Sequence, residues 1–159
     1  MILYHGSNAV VICPRLVSQV RALDFGPGFY LTSDFEQAAK WARTTVLRRG
    51  EGTPTVSSFN VDEKSLEGLD RLVFDAASVE WLLFVKRNRI DCVDDSGKDV
   101  ISGPVANDNT MPVLNLYFKG AYTEDEALRR LINQRLRDQY AFKTNRALAC
   151  LRFEKEVAV

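Results

Sequence analysis

One histidine, one glycine-framed tyrosine and a short run of small residues carry most of the chemistry that these residue types allow. His5 is the single histidine and opens the run His5-Gly6-Ser7. Tyr30 lies in the stretch Asp24-Phe25-Gly26-Pro27-Gly28-Phe29-Tyr30-Leu31-Thr32. An imidazole can hydrogen-bond a ribose hydroxyl, a bare glycine backbone can pair with an amide, and an aromatic ring can cover a flat base. Together these parts describe a pocket for a nucleotide-like ligand. Gln139 adds a polar group from the far end of the chain. His5, Tyr30 and Gln139 each sit on a short strand with apolar residues on the opposite face, so the three are expected to meet in one cleft between packed sheets.

The elements that must position them read as follows. Ile2 to His5 is a strand, ending in the turn signal Gly6-Ser7-Asn8. Ala9 to Phe25 reads as loop. Gly28 to Thr32 is a strand with Phe29 and Leu31 toward the core and Gly28, Tyr30 and Thr32 on the other face. Ser33-Asp34-Phe35-Glu36 has the form of a capping box, with Ser33 as N-cap, and predicts a helix to about Arg49. Its buried stripe is Phe35, Ala38, Ala39, Ala42 and Val46, with Trp41 at the edge. Strands are expected at 55–61, at 90–93 and at 100–101, with a short segment near 72–74 and a helix over about 76–89 whose apolar face is Trp81, Leu82, Phe84 and Val85. Gly103 to Asn109 reads as a polar loop, and Thr123 to Glu126 as a second capping box whose helix ends near Asp138. Gln139 to Lys143 is a strand with Tyr140 and Phe142 on one face and Gln139, Ala141 and Lys143 on the other. Thr144 caps a short helix through Leu151, and Arg152 to Val157 is a strand. The irregular mixing of strands and helices predicts α+β rather than doubly wound α/β.

The bulk numbers fit a single domain over 1–159. Lys plus Arg is 21 and Asp plus Glu is 21, so no global attraction to nucleic acid or anionic membrane is expected. Local clusters remain, at Lys40, Arg43, Arg48 and Arg49 and at Arg129, Arg130, Arg135 and Arg137; both read first as solvated helix faces. Cys13, Cys92 and Cys150 are widely spaced and odd in number, which predicts three reduced thiols in a cytoplasmic protein. A lone histidine weakens any metal site, and no targeting tail or membrane span is expected.

These residues resemble the ADP-ribosyltransferase superfamily, on the branch with a His-Tyr-Glu signature shared by diphtheria toxin and the poly(ADP-ribose) polymerases. His5-Gly6-Ser7 is similar to that family's His-Gly-Ser motif, and Gly28-Phe29-Tyr30-Leu31 to its Gly-x-Tyr-Phe strand. Trp41, eleven residues after Tyr30, falls where the polymerases carry a second stacking aromatic. Gln139-Tyr140-Ala141-Phe142 is similar to the strand that bears the catalytic Glu. The Asp24 to Thr32 run and the loop Gly103-Pro104-Val105-Ala106-Asn107-Asp108 resemble, more closely, small bacterial domains regarded as ADP-ribosyltransferase toxins of toxin–antitoxin modules. The resemblance implies split antiparallel sheets around an NAD cleft, NAD as substrate with no metal, mono-ADP-ribose transfer to a protein or nucleic-acid acceptor, and a cognate antitoxin as partner. It implies His5, Tyr30 and Gln139 as catalytic residues, and His5, Gly6, Ser7, Tyr30, Thr32 and Trp41 as the NAD site. Tyr30 and Trp41 would sandwich the nicotinamide ring, whose cationic form gains about 1 kcal/mol from cation–π attraction.

Gln139 departs from the family, which has Glu there. A charge pair at about 4 Å, at an effective dielectric of about 20, is worth roughly 4 kcal/mol, or about a thousandfold in rate. Three readings stay open: a slow enzyme, a second carboxylate such as Asp108 or Asp138 entering the cleft, or a catalytically silent NAD-binding module acting through protein contacts. A related RNA 2′-phosphotransferase ranks low, because those enzymes need more His and Arg in the cleft than a one-histidine chain supplies.

Overall fold

A computed structural model describes residues 1–16, 22–91, 97–106, 109–131, 134 and 136–159. Cys92, Val93, Asp108 and Arg135, to which expectations are attached, lie outside that set. The fold is mixed α+β, with two sheets flanked by helices.

The first sheet is antiparallel and ordered β1-β3-β7, from β1 (Ile2–Ser7), β3 (Thr55–Val61) and β7 (Leu151–Ala158). The second is ordered β2-β6-β5-β4, from β2 (Phe29–Leu31), β6 (Asp138–Phe142), β5 (Val100–Pro104) and β4 (Arg71–Val73). An all-antiparallel arrangement was the expectation; β4 instead runs parallel to β5. The intervening helix α2 (Val79–Lys86) and the π-helical turn Arg87–Asp91 supply the crossover that a parallel pair requires.

Alternation along the second sheet sends its two faces into different cores. Phe29, Leu31, Val100 and Phe142 join Leu3, Phe59 and Val61 in a core shared with the first sheet. Ile101 and Ala141 turn the other way, onto Trp81, Leu82 and Val85 of α2 and onto helices α3 (Met111–Phe118) and α4 (Glu124–Leu131). Helix α1 (Phe35–Arg49) covers the outer face of the first sheet through Ala38, Ala39 and Val56. The sheets join by backbone where Tyr4 bridges Thr32, with N–H to O distances of 2.8 and 3.0 Å.

Several local expectations are corrected. Gly6 and Ser7 continue β1 rather than ending it, because both pair with β3. Asp34, not Ser33, caps α1 by accepting from the Gln37 N–H at 2.9 Å, while the Ser33 hydroxyl turns to Asp138. Asp138 begins β6 rather than ending a helix. Ile90 and Asp91 lie in the π-helical turn, not a strand. Gly103 and Pro104 finish β5, and Val105 and Ala106 are buried rather than part of a polar loop.

A buried carboxylate ties this architecture together. Asp99 accepts from the Asp70 N–H at 2.8 Å, the Thr144 hydroxyl at 2.6 Å and Arg146 Nε at 2.7 Å, with Arg146 Nη2 also bonded. Thr144 also caps α5 (Asn145–Leu148), so one side chain joins β4, β5 and α5. Arg146 is the main influence holding the Asp99 carboxyl far below the ordinary carboxylate range; burial opposes it, and Thr144 and the Asp70 amide reinforce it. A depressed folded pKa contributes stability that is present above the unfolded value and lost as pH falls through the folded one. Asp99→Ala is expected to cost about 2 kcal/mol at neutral pH, the share from exposed Arg146 being small. Urea midpoints at about pH 6 and about pH 3 check this: the gap between wild type and variant should narrow in acid. A gap that stays constant contradicts it.

Candidate functional site

The expected residues surround one cavity of about 560 Å³ at the junction of the two sheets. His5, Gly6, Ser7, Tyr30, Trp41 and Gln139 all line it. Thr32 does not. It is fully buried, and its hydroxyl donates to Asp138 Oδ1 at 2.9 Å while accepting from the Asp34 N–H at 3.1 Å. Thr32 therefore supports the backbone junction and lies beneath the site.

His5 enters from β1, stacked on Phe29 with ring centroids 4.2 Å apart. Its Nδ1 lies 2.8 Å from the Tyr30 carbonyl oxygen. A carbonyl only accepts, so Nδ1 carries the proton and Nε2 of the neutral ring is left as an acceptor. Burial is the main influence on this imidazole and lowers its pKa; the Tyr30 carbonyl opposes it more weakly. As the chain has one histidine, a single imidazole resonance reports it. An NMR titration should give a midpoint below about 6.5, and a value above that would contradict the geometry. The sign for stability follows: the unfolded chain takes up the proton first, so stability present above about pH 6.5 is lost as pH falls.

Gly6 presents its backbone to the cavity, but its missing side chain serves another face. Along β1 the odd residues Leu3 and His5 point inward, while Tyr4 and Gly6 face α1, Tyr4 meeting Phe35 with centroids 5.4 Å apart. A Cβ on Gly6 would lie 1.9 Å from the Ala38 carbonyl oxygen.

Tyr30 offers only its ring. Its hydroxyl donates to the Gly26 carbonyl at 2.7 Å and accepts from the Phe25 N–H at 3.1 Å. Gly26 has φ 73°, a left-handed conformation that a side chain disfavours, so the turn depends on glycine there. This turn buries Phe25 against Phe74 and Phe84 and directs Asp24 beneath the cavity.

Gln139 and Asp24 meet at the floor. Gln139 is 3% exposed, and its Nε2 donates to Asp24 Oδ2 at 2.7 Å and to the Pro104 carbonyl at 3.2 Å. Asp24 Oδ2 also accepts from the Ala106 N–H at 2.9 Å, and Oδ1 from Arg89 Nε at 2.5 Å. Of the carboxylates considered from the sequence, Asp138 faces away, accepting from Thr32, the Ser33 N–H and the Ser33 hydroxyl. Asp108 lies outside the described residues. The carboxylate beside Gln139 is Asp24, which sequence reasoning quoted within a motif without giving it a role. Arg89 was missed as well, since it was read as the end of an ordinary helix.

The two basic clusters separate. Arg129 and Arg130 pair with Glu126 at 2.9 and 2.7 Å, and Arg137 pairs with Asp34 at 3.0 Å, so that cluster is a structural surface. Lys40, Arg48 and Arg49 recur along one side of α1 and, with Arg15 and Arg89, line the cavity. Among the described residues, Asp24 is the only carboxylate that lines the cavity. Such a wall suits an anionic ligand. Among the described residues no group of acidic, histidine or cysteine side chains is arranged to hold a metal ion, and no helix is long and apolar enough to cross a membrane.

A family model described as Protein of unknown function (DUF3990) matches residues 1–153. Comparison with curated proteins and with solved structures finds no match.

Proposed function

We propose, for a chain that belongs to the DUF3990 family, the activity of an NAD-dependent mono-ADP-ribosyltransferase, acting as the toxin of a bacterial toxin–antitoxin pair. One observation carries this reading: His5, Tyr30 and Gln139, from three strands, line a single cavity with Trp41. Its volume of about 560 Å³ falls in the range that holds small-molecule ligands.

In this reading His5 Nε2 accepts a hydrogen bond from a ribose hydroxyl of the adenosine half, and the Gly6 backbone pairs with the nicotinamide amide. Tyr30 and Trp41 flank the nicotinamide ring. The bond from ribose C1′ to the nicotinamide nitrogen breaks, and its electron pair stays on that nitrogen and neutralises the pyridinium. The ribose passes through an oxocarbenium-like state. An acceptor nucleophile then attacks C1′ and gives up its proton. The acceptor is a protein or a nucleic acid, and the antitoxin is a cytoplasmic protein partner.

Incubation with NAD tests this by following nicotinamide release and labelling of fractionated lysate. His5→Ala is expected to weaken NAD binding about tenfold, the worth of one hydrogen bond to a desolvated partner. A wild-type protein that releases no nicotinamide and labels nothing removes the reading. The second reading, a silent NAD-binding module, is favoured by the amide of Gln139 where the related enzymes have a charge. NAD binding without turnover, with turnover still absent in Gln139→Glu, would select it.

A further inference from the structure

Asp24 holds two cavity residues at once, in opposite chemical senses. Gln139 Nε2 has only acceptors before it, the Asp24 carboxylate and the Pro104 carbonyl. The amide is therefore oriented, with Oε1 on the side away from these two acceptors, and Gln139 lines the cavity. Arg89 is held by Nε alone, on the other carboxylate oxygen. Its terminal nitrogens make no hydrogen bond among the described residues, and its side chain, 20% exposed, also lines the cavity. One buried carboxylate thus presents an acceptor from one oxygen and a planar donor fork from the other.

We propose that Asp24 and Arg89 form a phosphate subsite beside Gln139, in which the Arg89 fork grips a phosphate and Asp24 is the positioning residue both for that fork and for the Gln139 amide, whose Oε1 is left for the ribose of the proposed NAD site. This rests on the nucleotide reading of the cavity but adds a ligand group that reading leaves unassigned. A guanidinium fixed at Nε keeps two parallel N–H donors for phosphate oxygens, a geometry that lysine cannot supply. Donation from Gln139 Nε2 to a carboxylate also strengthens Oε1 as an acceptor, because linked hydrogen bonds polarise one another. The surrounding charges agree: Arg15, Lys40 and Arg48 line the same cavity, and among the described residues Asp24, already paired, is its single lining carboxylate.

Calorimetry with nicotinamide mononucleotide and nicotinamide riboside, which differ by the phosphate, tests the subsite. Wild type should bind the mononucleotide at least about tenfold more tightly. Arg89→Lys keeps a charge beside Asp24 but loses the fork, and should erase most of that preference while leaving riboside binding intact. Gln139→Met should weaken both ligands alike. Asp24→Asn should do both. The pair Asp24→Asn with Arg89→Met strands no charge and should behave as Asp24→Asn does, which keeps the test valid where a single variant misfolds. A wild type without phosphate preference, or an Arg89→Lys protein that retains it, overturns the subsite. Nicotinamide release from NAD separates the two levels. Binding as stated without release keeps the subsite and removes the transferase reading; release with the Arg89→Lys preference unchanged does the reverse.

Discussion

Gly6→Ala is expected to lower stability by about 3 kcal/mol or more, the upper end for overpacking a closed site. The added methyl would lie 1.9 Å from the Ala38 carbonyl oxygen and 2.8 Å from the Ala42 N–H nitrogen. Both obstacles are backbone of α1, so no side chain can swing aside. Either β1 leaves the helix or the helix moves, lifting Ala38 and Ala39 off Val56 of the sheet. Urea unfolding measures the loss as a lower midpoint with an unchanged slope. A midpoint equal to that of wild type would show that β1 and α1 are not packed as described. Because His5 is the next residue, the same variant should disturb its imidazole resonance even where the protein stays folded.

Arg89→Ala is expected to cost about 3 kcal/mol near neutral pH for a different reason. Asp24 is 3% exposed and would keep only the Ala106 N–H and the Gln139 amide as partners. Removing one member of a buried ion pair strands the other charge. Urea midpoints measure the loss. Asp24→Asn in the same background takes the stranded charge away and should recover part of it. A double variant no more stable than Arg89→Ala argues against a carboxylate buried with Arg89 at the cavity floor.

The parts of this molecule legible in the sequence are those governed by neighbours along the chain. Thr55 to Val61 forms a strand to its stated ends because Gly52 and Pro54 break the chain before it and Thr55, Val56, Phe59 and Val61 favour extended backbone. Helix α1 stops at Gly50, whose φ of 72° suits glycine, and Thr144 caps α5 through its own hydroxyl. Ser33 and Asp34 are a harder case. Either can cap a helix, and the choice was made by Asp138, 105 residues away, which takes the Ser33 hydroxyl and N–H. Helix α3 went unread because Met111–Phe118 has no side-chain cap and carries Pro112 in its first turn.

The site divides along the same line. His5, Tyr30 and Gln139 were visible as polar residues on strands, and the register of β6 with β2 and β5 brings two of them to one face. Asp24 was not, because its meaning depends on partners 65 and 115 residues away. Thr32 misled for a related reason. It shares a strand face with Tyr30, but the strand ends there and the bridge to Tyr4 buries it.

The Tyr4–Thr32 bridge has a consequence for how occupancy could be detected. Two main-chain bonds there, and the His5 Nδ1 bond to the Tyr30 carbonyl, act as a clasp between plates that are otherwise held by apolar packing. A molecule touching both His5 and Gln139 would close that clasp from the other side. Amide protons at Tyr4 and Thr32 should then exchange with solvent more slowly, while those in the middle of β3 keep their rate, because only local opening is suppressed.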